Sequence, residues 1–141
     1  MPYREKIAWL SLAAMAVTFG PYFVEASLDP FRGAPAPNLP QMGLFAVTTL
    51  TQAAILLLGR LYLRSRSPDD ARIPPDERDL AIERRSIYAA YFMLLAGMII
   101  VGCIMPFTAT GWKLVNAAVF MIVAAEVVHY GVVAFSYRKQ A

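Results

Sequence analysis

Glu126 and His129 stand three residues apart inside an apolar run, Gly111 to Arg138, that is long enough to cross a bilayer. On a helix that spacing puts both side chains on one face. An ionisable group in hydrocarbon costs about 3 kcal/mol on insertion scales and more in simulations, so it needs a protein partner or a wet cavity. Three chemistries would use such a pair: a charge-paired polar cluster, a titrating carboxylate in a transport path, or a metal site. The rest of the chain decides among them by what else it can bring to the same depth.

Arg60 is the candidate counter-charge. It lies ~28 Å along its own span from Gln41, against ~22 Å for Glu126 and ~27 Å for His129 measured from Gly111, at 1.5 Å rise per residue. Tyr88, Tyr91 and Tyr130 belong to the same level. The expectation is a polar cluster of Glu126, His129, Arg60, Tyr88, Tyr91 and Tyr130, with Glu126 and Arg60 as its charge pair. A Glu-x-x-His helix also occurs in metal-binding four-helix bundles, but those draw further glutamates and a second such motif from other helices. This chain has one histidine and no second carboxylate deep in a span, so no metal site and no haem site is expected from a single chain. Cys103 sits near the far end of its span from His129, which excludes a Cys-His nucleophile pair, and as the single cysteine it can form no intramolecular disulfide. No catalytic residue, cofactor or enzymatic activity is expected.

The elements that would hold this cluster follow from composition. Of 141 residues, 58% are apolar and 16% charged, against about 45–50% and about 25% in soluble domains. The charges cluster at the two ends and between Arg60 and Arg85, leaving four apolar stretches at 7–26, 42–63, 87–107 and 112–137, with Glu25, Arg60 and Lys113 towards their ends and Glu126 within. Each reaches the roughly 20 residues that a helix needs to span the hydrocarbon. The expected fold is all-α, a four-helix antiparallel transmembrane bundle forming one domain over residues 1–141. Arg4 and Lys6 before the first span resemble a signal peptide. The run is too long for one, and Ser27-Leu28-Asp29-Pro30 is a poor cleavage site, so the segment is expected to stay attached.

The segment 64–85 holds six arginines and six acids. Because orientation follows Lys and Arg rather than net charge, it is expected to be a cytoplasmic loop, with both termini cytoplasmic and the protein in the inner (plasma) membrane. The net charge of +3 then reflects flanks facing an anionic leaflet, and no nucleic-acid partner is expected. Within the loop, Pro74-Pro75 ends any helix and Asp76 with Asp79 forms a variant capping box, so a helix starts there and runs into the third span. The Pro-rich connection 27–40 is irregular, Pro21 is placed to kink the first helix, and Pro106 to close the third.

Helix faces come next. Ala46, Ala53 and Arg60 recur every seven residues, a stripe of small residues that would let a neighbour approach closely. Tyr88, Tyr91, Leu95, Met98 and Gly102 form a second packing stripe. Ala117, Ala124 and Gly131 lie opposite the Glu126 and His129 face, so the fourth span presents two faces that both ask for protein. A homo-oligomer or a larger membrane complex is therefore expected, as an accessory or oligomerising subunit without catalysis. The alternative is an oligomeric proton- or cation-linked transporter or channel using Glu126. At Pro75-Asp76-Glu77-Arg78-Asp79 and the tyrosine-rich helix after it, the sequence resembles a family of uncharacterised small prokaryotic membrane proteins. The resemblance covers Pro74 to Tyr137 and implies four spans and nothing catalytic.

Overall fold

A computed structural model of the chain describes residues 2–28, 33 and 37–139. Residues 29–32 and 34–36 of the 27–40 connection lie outside the described residues; its two ends are helical where an irregular chain was expected, since the helix before it reaches Leu28 and the one after it starts at Leu39 with Pro40 in its first turn, where no amide is needed. Five α-helices follow in order: α1 (Tyr3–Leu28), α2 (Leu39–Arg66), α3 (Pro68–Arg72), α4 (Glu77–Ile99) and α5 (Trp112–Arg138). Among the described residues there is no strand. Four of the helices are long and apolar enough to cross a membrane, α4 together with the irregular turns that extend it to Phe107.

The helix ends obey local chemistry. Asn38 caps α2 by accepting the Gln41 amide at 3.1 Å, and the helix runs to Arg66, three residues past the apolar stretch, because Leu63 C=O still accepts the Ser67 amide. Pro68, at a first-turn position where no amide is needed, then starts the five-residue α3. Sequence periodicity gave no sign of that short helix. Asp76 and Asp79 form the capping box: Asp79 N–H donates to Asp76 Oδ1 at 2.6 Å and Asp76 N–H to Asp79 Oδ2 at 3.4 Å. α4 ends differently from the simple stop expected at Pro106. Residues Ile100–Ile104 widen into a π-turn and Met105–Phe107 tighten into a 3₁₀ turn. Pro106 has no amide to offer the carbonyl four residues back, and its ring crowds that position, so the chain shifts its register around it. α1, by contrast, continues through Pro21 to Leu28. Gly111, at φ 59°, makes the turn into α5 in a region that side chains disfavour.

Packing follows the order α2, α1, α5, α4. α1 is central because its face of Ala8, Ser11, Met15, Thr18 and Tyr22, repeating every three or four residues, is buried. Small residues on that face let α2 and α5 come close without a hydrophobic driving force, which lipid does not supply. Two glycines test this. A Cβ on Gly97 of α4 would lie 2.7 Å from the Met121 Cγ and 2.8 Å from its Cβ; the Cβ is fixed to the α5 backbone, so the helices themselves must separate. A Cβ on Gly59 would meet only the end of Leu10, with Cδ2 at 2.5 Å, and a rotamer change relieves that. Gly97→Ala should therefore destabilise by about 1–2 kcal/mol and Gly59→Ala by clearly less, read as midpoints of unfolding in mixed micelles. Equal midpoints would mean that α4 and α5 are not closely apposed at Gly97.

Two of the stripes expected to pack lie on the outside of the chain. Ala46, Ala53 and Arg60 are exposed, because α2 turns its Gln41, Thr48 and Gln52 side toward α1. That side carries the Gln52 carbonyl that accepts from Thr18 of α1, a bond that a stripe of alanines cannot offer. Tyr88, Tyr91, Leu95 and Met98 are likewise exposed, at 60, 56, 43 and 43%, since α4 meets α5 through Gly97. Of the α5 stripe, Ala117, Ala124 and Gly131 are half-buried; Ala124 lines an apolar cleft with Met15, Phe19, Phe120 and Met93, whereas Gly131 has open space where a Cβ would stand.

Candidate functional site

Three polar groupings lie along the bundle. At the end where α1 finishes and α5 begins, Tyr22 is 2% exposed and donates its hydroxyl to Asn116 Oδ1 at 2.7 Å. One turn earlier the Thr18 hydroxyl donates to Gln52 Oε1 at 2.7 Å. These bonds tie α1 to α5 and to α2 where no water competes. Neither Tyr22 nor Asn116 was singled out by sequence, although an asparagine inside an apolar span is a signal of the same kind as Glu126.

At the opposite, arginine-rich end, Asp79 gathers three helices. Its carboxylate caps α4, pairs with Arg4 of α1 (Nε to Oδ2, 3.3 Å) and accepts a short hydrogen bond from the Tyr137 hydroxyl of α5. Lys6 of the same α1 turn donates to Ser67 Oγ at 3.3 Å, which holds the end of α2. Trp9 meets Phe135 edge to face at 6.2 Å and lies under the Arg138 guanidinium at 5.4 Å. Sequence assigned Asp79 only to the helix cap; Arg4 and Tyr137 are 75 residues before it and 58 after it, and no local pattern links them.

Between these ends is the level of the expected cluster, and it is only partly assembled. Arg60 Nη2 reaches Tyr130 Oη at 3.4 Å, a long hydrogen bond, and the His129 and Tyr130 rings meet at 4.8 Å. The charge pair between Glu126 and Arg60 is not formed: the ion pair found among the described residues is Arg4 with Asp79, and Glu126 is exposed. The physical reason is the packing order. α2 leans on α1 rather than α5, so only the long Arg60 side chain crosses, and it stops at Tyr130. Tyr88 and Tyr91 stand apart as well, on the outer face of α4 with Leu80, Arg84 and Ile87. Glu126 shares its face of α5 with Val115 and Ile122, which are 42 and 50% exposed. Among the described residues no three His, Cys, Asp or Glu side chains come together in a way that could hold a metal ion.

Four apolar spans with short polar ends and polar ties between helices define a polytopic membrane protein. The chain belongs to the family DUF2178, described as predicted membrane proteins, which matches residues 33–141. That match takes in the stretch Pro74 to Tyr137 and starts well before it. No curated protein and no solved structure matches the chain.

Proposed function

We propose that this protein is a small inner-membrane subunit, its termini cytoplasmic, that works by associating with other membrane-embedded chains and catalyses nothing itself. The observation that carries the reading is Glu126: a carboxylate near the middle of a 27-residue span, exposed, with apolar neighbours on its face and no ion pair or hydrogen bond among the described residues. Facing hydrocarbon, it costs about 3 kcal/mol. A second chain covering that face offsets the cost, and Val115 and Ile122 supply apolar contact around it.

Cysteine cross-linking tests the face directly. Ile122→Cys in a Cys103→Ser background, oxidised in native membranes, should give a covalent adduct with a second copy or with another membrane protein; Ala124→Cys, whose side chain lies in the cleft within one chain, should give much less. Uniformly monomeric Ile122→Cys product would overturn the reading. Glu126→Gln should shift the complex toward monomer in a mild detergent. The same exposed carboxylate also suits the runner-up, cation- or proton-linked transport in an oligomer, and loss of flux in Glu126→Gln liposomes with the oligomer intact would decide for that reading instead.

A further inference from the structure

We infer that the cavity at the arginine-rich end binds a zwitterionic phosphoethanolamine headgroup, that of a phosphatidylethanolamine lipid. The cavity, about 200 Å³, opens between α1, α4 and α5, with Arg4, Glu83, His129, Tyr130 and Tyr137 as its polar lining and Ile82 and Val133 among its apolar walls; the Tyr137 hydroxyl is already given to Asp79. It is smaller than the roughly 300–1,000 Å³ of drug-sized pockets, so it takes a headgroup and not a whole amphiphile. It is flanked by Arg78, Arg85 and Lys139, which rim a neighbouring depression and mark headgroup level on a membrane helix. Pockets between spans at that level are where headgroups dock.

The sign of the ligand follows from which groups are already used. Arg4 is matched by Asp79 through its Nε, leaving its two terminal nitrogens as free donors. The Tyr130 hydroxyl accepts from Arg60 and retains its own proton to donate. His129 makes no hydrogen bond among the described residues and offers one donor in either neutral tautomer. These converge as a phosphate-binding set. Glu83 is the remaining group: among the described residues its carboxylate makes neither an ion pair nor a hydrogen bond, and the side-chain bond recorded there is from Ser86 to its backbone carbonyl. A simple anion would satisfy the donors and meet an unmatched carboxylate; a simple cation would do the reverse. A phosphate bearing a primary ammonium satisfies both with charge-assisted hydrogen bonds. A trimethylammonium has no N–H to give Glu83, and a glycerol headgroup has no charge to give it, so phosphatidylcholine and phosphatidylglycerol are disfavoured.

The test is lipid retention. The full chain, reconstituted in nanodiscs of equimolar phosphatidylethanolamine, phosphatidylcholine and phosphatidylglycerol with identical acyl chains, is released into native mass spectrometry. The wild type should retain phosphatidylethanolamine about tenfold over the other two. Glu83→Gln, which removes no intramolecular bond, should bring it level with phosphatidylcholine, and Tyr130→Phe should lower it several-fold, while Glu77→Gln, at the solvated start of α4, should change nothing. Equal retention of the three lipids by the wild type, or an unchanged preference in Glu83→Gln, overturns the assignment. Millimolar glycerophosphoethanolamine separates the sources: failure to displace the lipid supports a lipid site, and full displacement overturns it in favour of a soluble headgroup ester.

Discussion

Tyr22→Ala is expected to destabilise the packed helices by about 3 kcal/mol, the largest effect of any single substitution in this chain. Tyr22 is buried to 2% and packs edge to face against Phe23 at 5.3 Å and Phe45 at 6.1 Å, so truncation empties the contact of α1 with α2 as well as that with α5. In water, aromatic-to-alanine changes in a core cost about 3–5 kcal/mol. Between spans the transfer part of that figure is smaller, since lipid is as apolar as the protein interior, and the cavity part remains. Losing the hydrogen bond to Asn116 adds a little: polar bonds between spans average about 0.6 kcal/mol and reach about 1.7. Tyr22→Phe isolates that fraction and should cost about 1 kcal/mol. Unfolding in mixed micelles by titration with a denaturing detergent measures both. If the two variants unfold at the same midpoint, the ring is not packed as described and α1 is not the central helix.

Asp79→Ala should come second, at about 2–3 kcal/mol. It strands the Tyr137 hydroxyl, whose residue is 7% exposed, and an orphaned buried donor costs about 1–3 kcal/mol. The Arg4 pair adds less than its geometry suggests, because the Arg4 side chain is 36% exposed and pairs of that kind are worth about 0.2–1 kcal/mol. Half of the capping box goes too, the bond from the Asp76 amide, while the Asp79 amide still reaches Asp76. Asp79→Asn keeps one acceptor, for the Tyr137 hydroxyl, but sets an amide NH2 where Oδ2 met the Asp76 amide and Arg4, so about 1–2 kcal/mol is expected. Hydrogen exchange should show the reason: in Asp79→Ala the last two turns of α5 and the first two of α1 lose protection together, whereas loss confined to the start of α4 would mean that Asp79 is a helix cap and nothing more.

The contrast between Asp79 and Glu126 shows what each level of organisation decides. Sequence by itself determined the four spans, the break at Pro74-Pro75 and the cap at Asp76, because these rest on composition, on backbone chemistry and on contacts within four residues. It also marked Glu126 as a residue that needs explaining, since hydrocarbon penalises a carboxylate whatever its neighbours. Which faces meet was decided only by the tertiary structure. In lipid every apolar face is nearly equivalent, so a stripe such as Ala46 and Ala53 carries little preference for protein over solvent. The choice falls to a few directional bonds between residues far apart in the chain: Tyr22 with Asn116, Thr18 with Gln52, and Asp79 with Arg4 and Tyr137. Those bonds put α1 in the middle, move α2 away from α5, and leave Arg60 at Tyr130 and Glu126 facing outward.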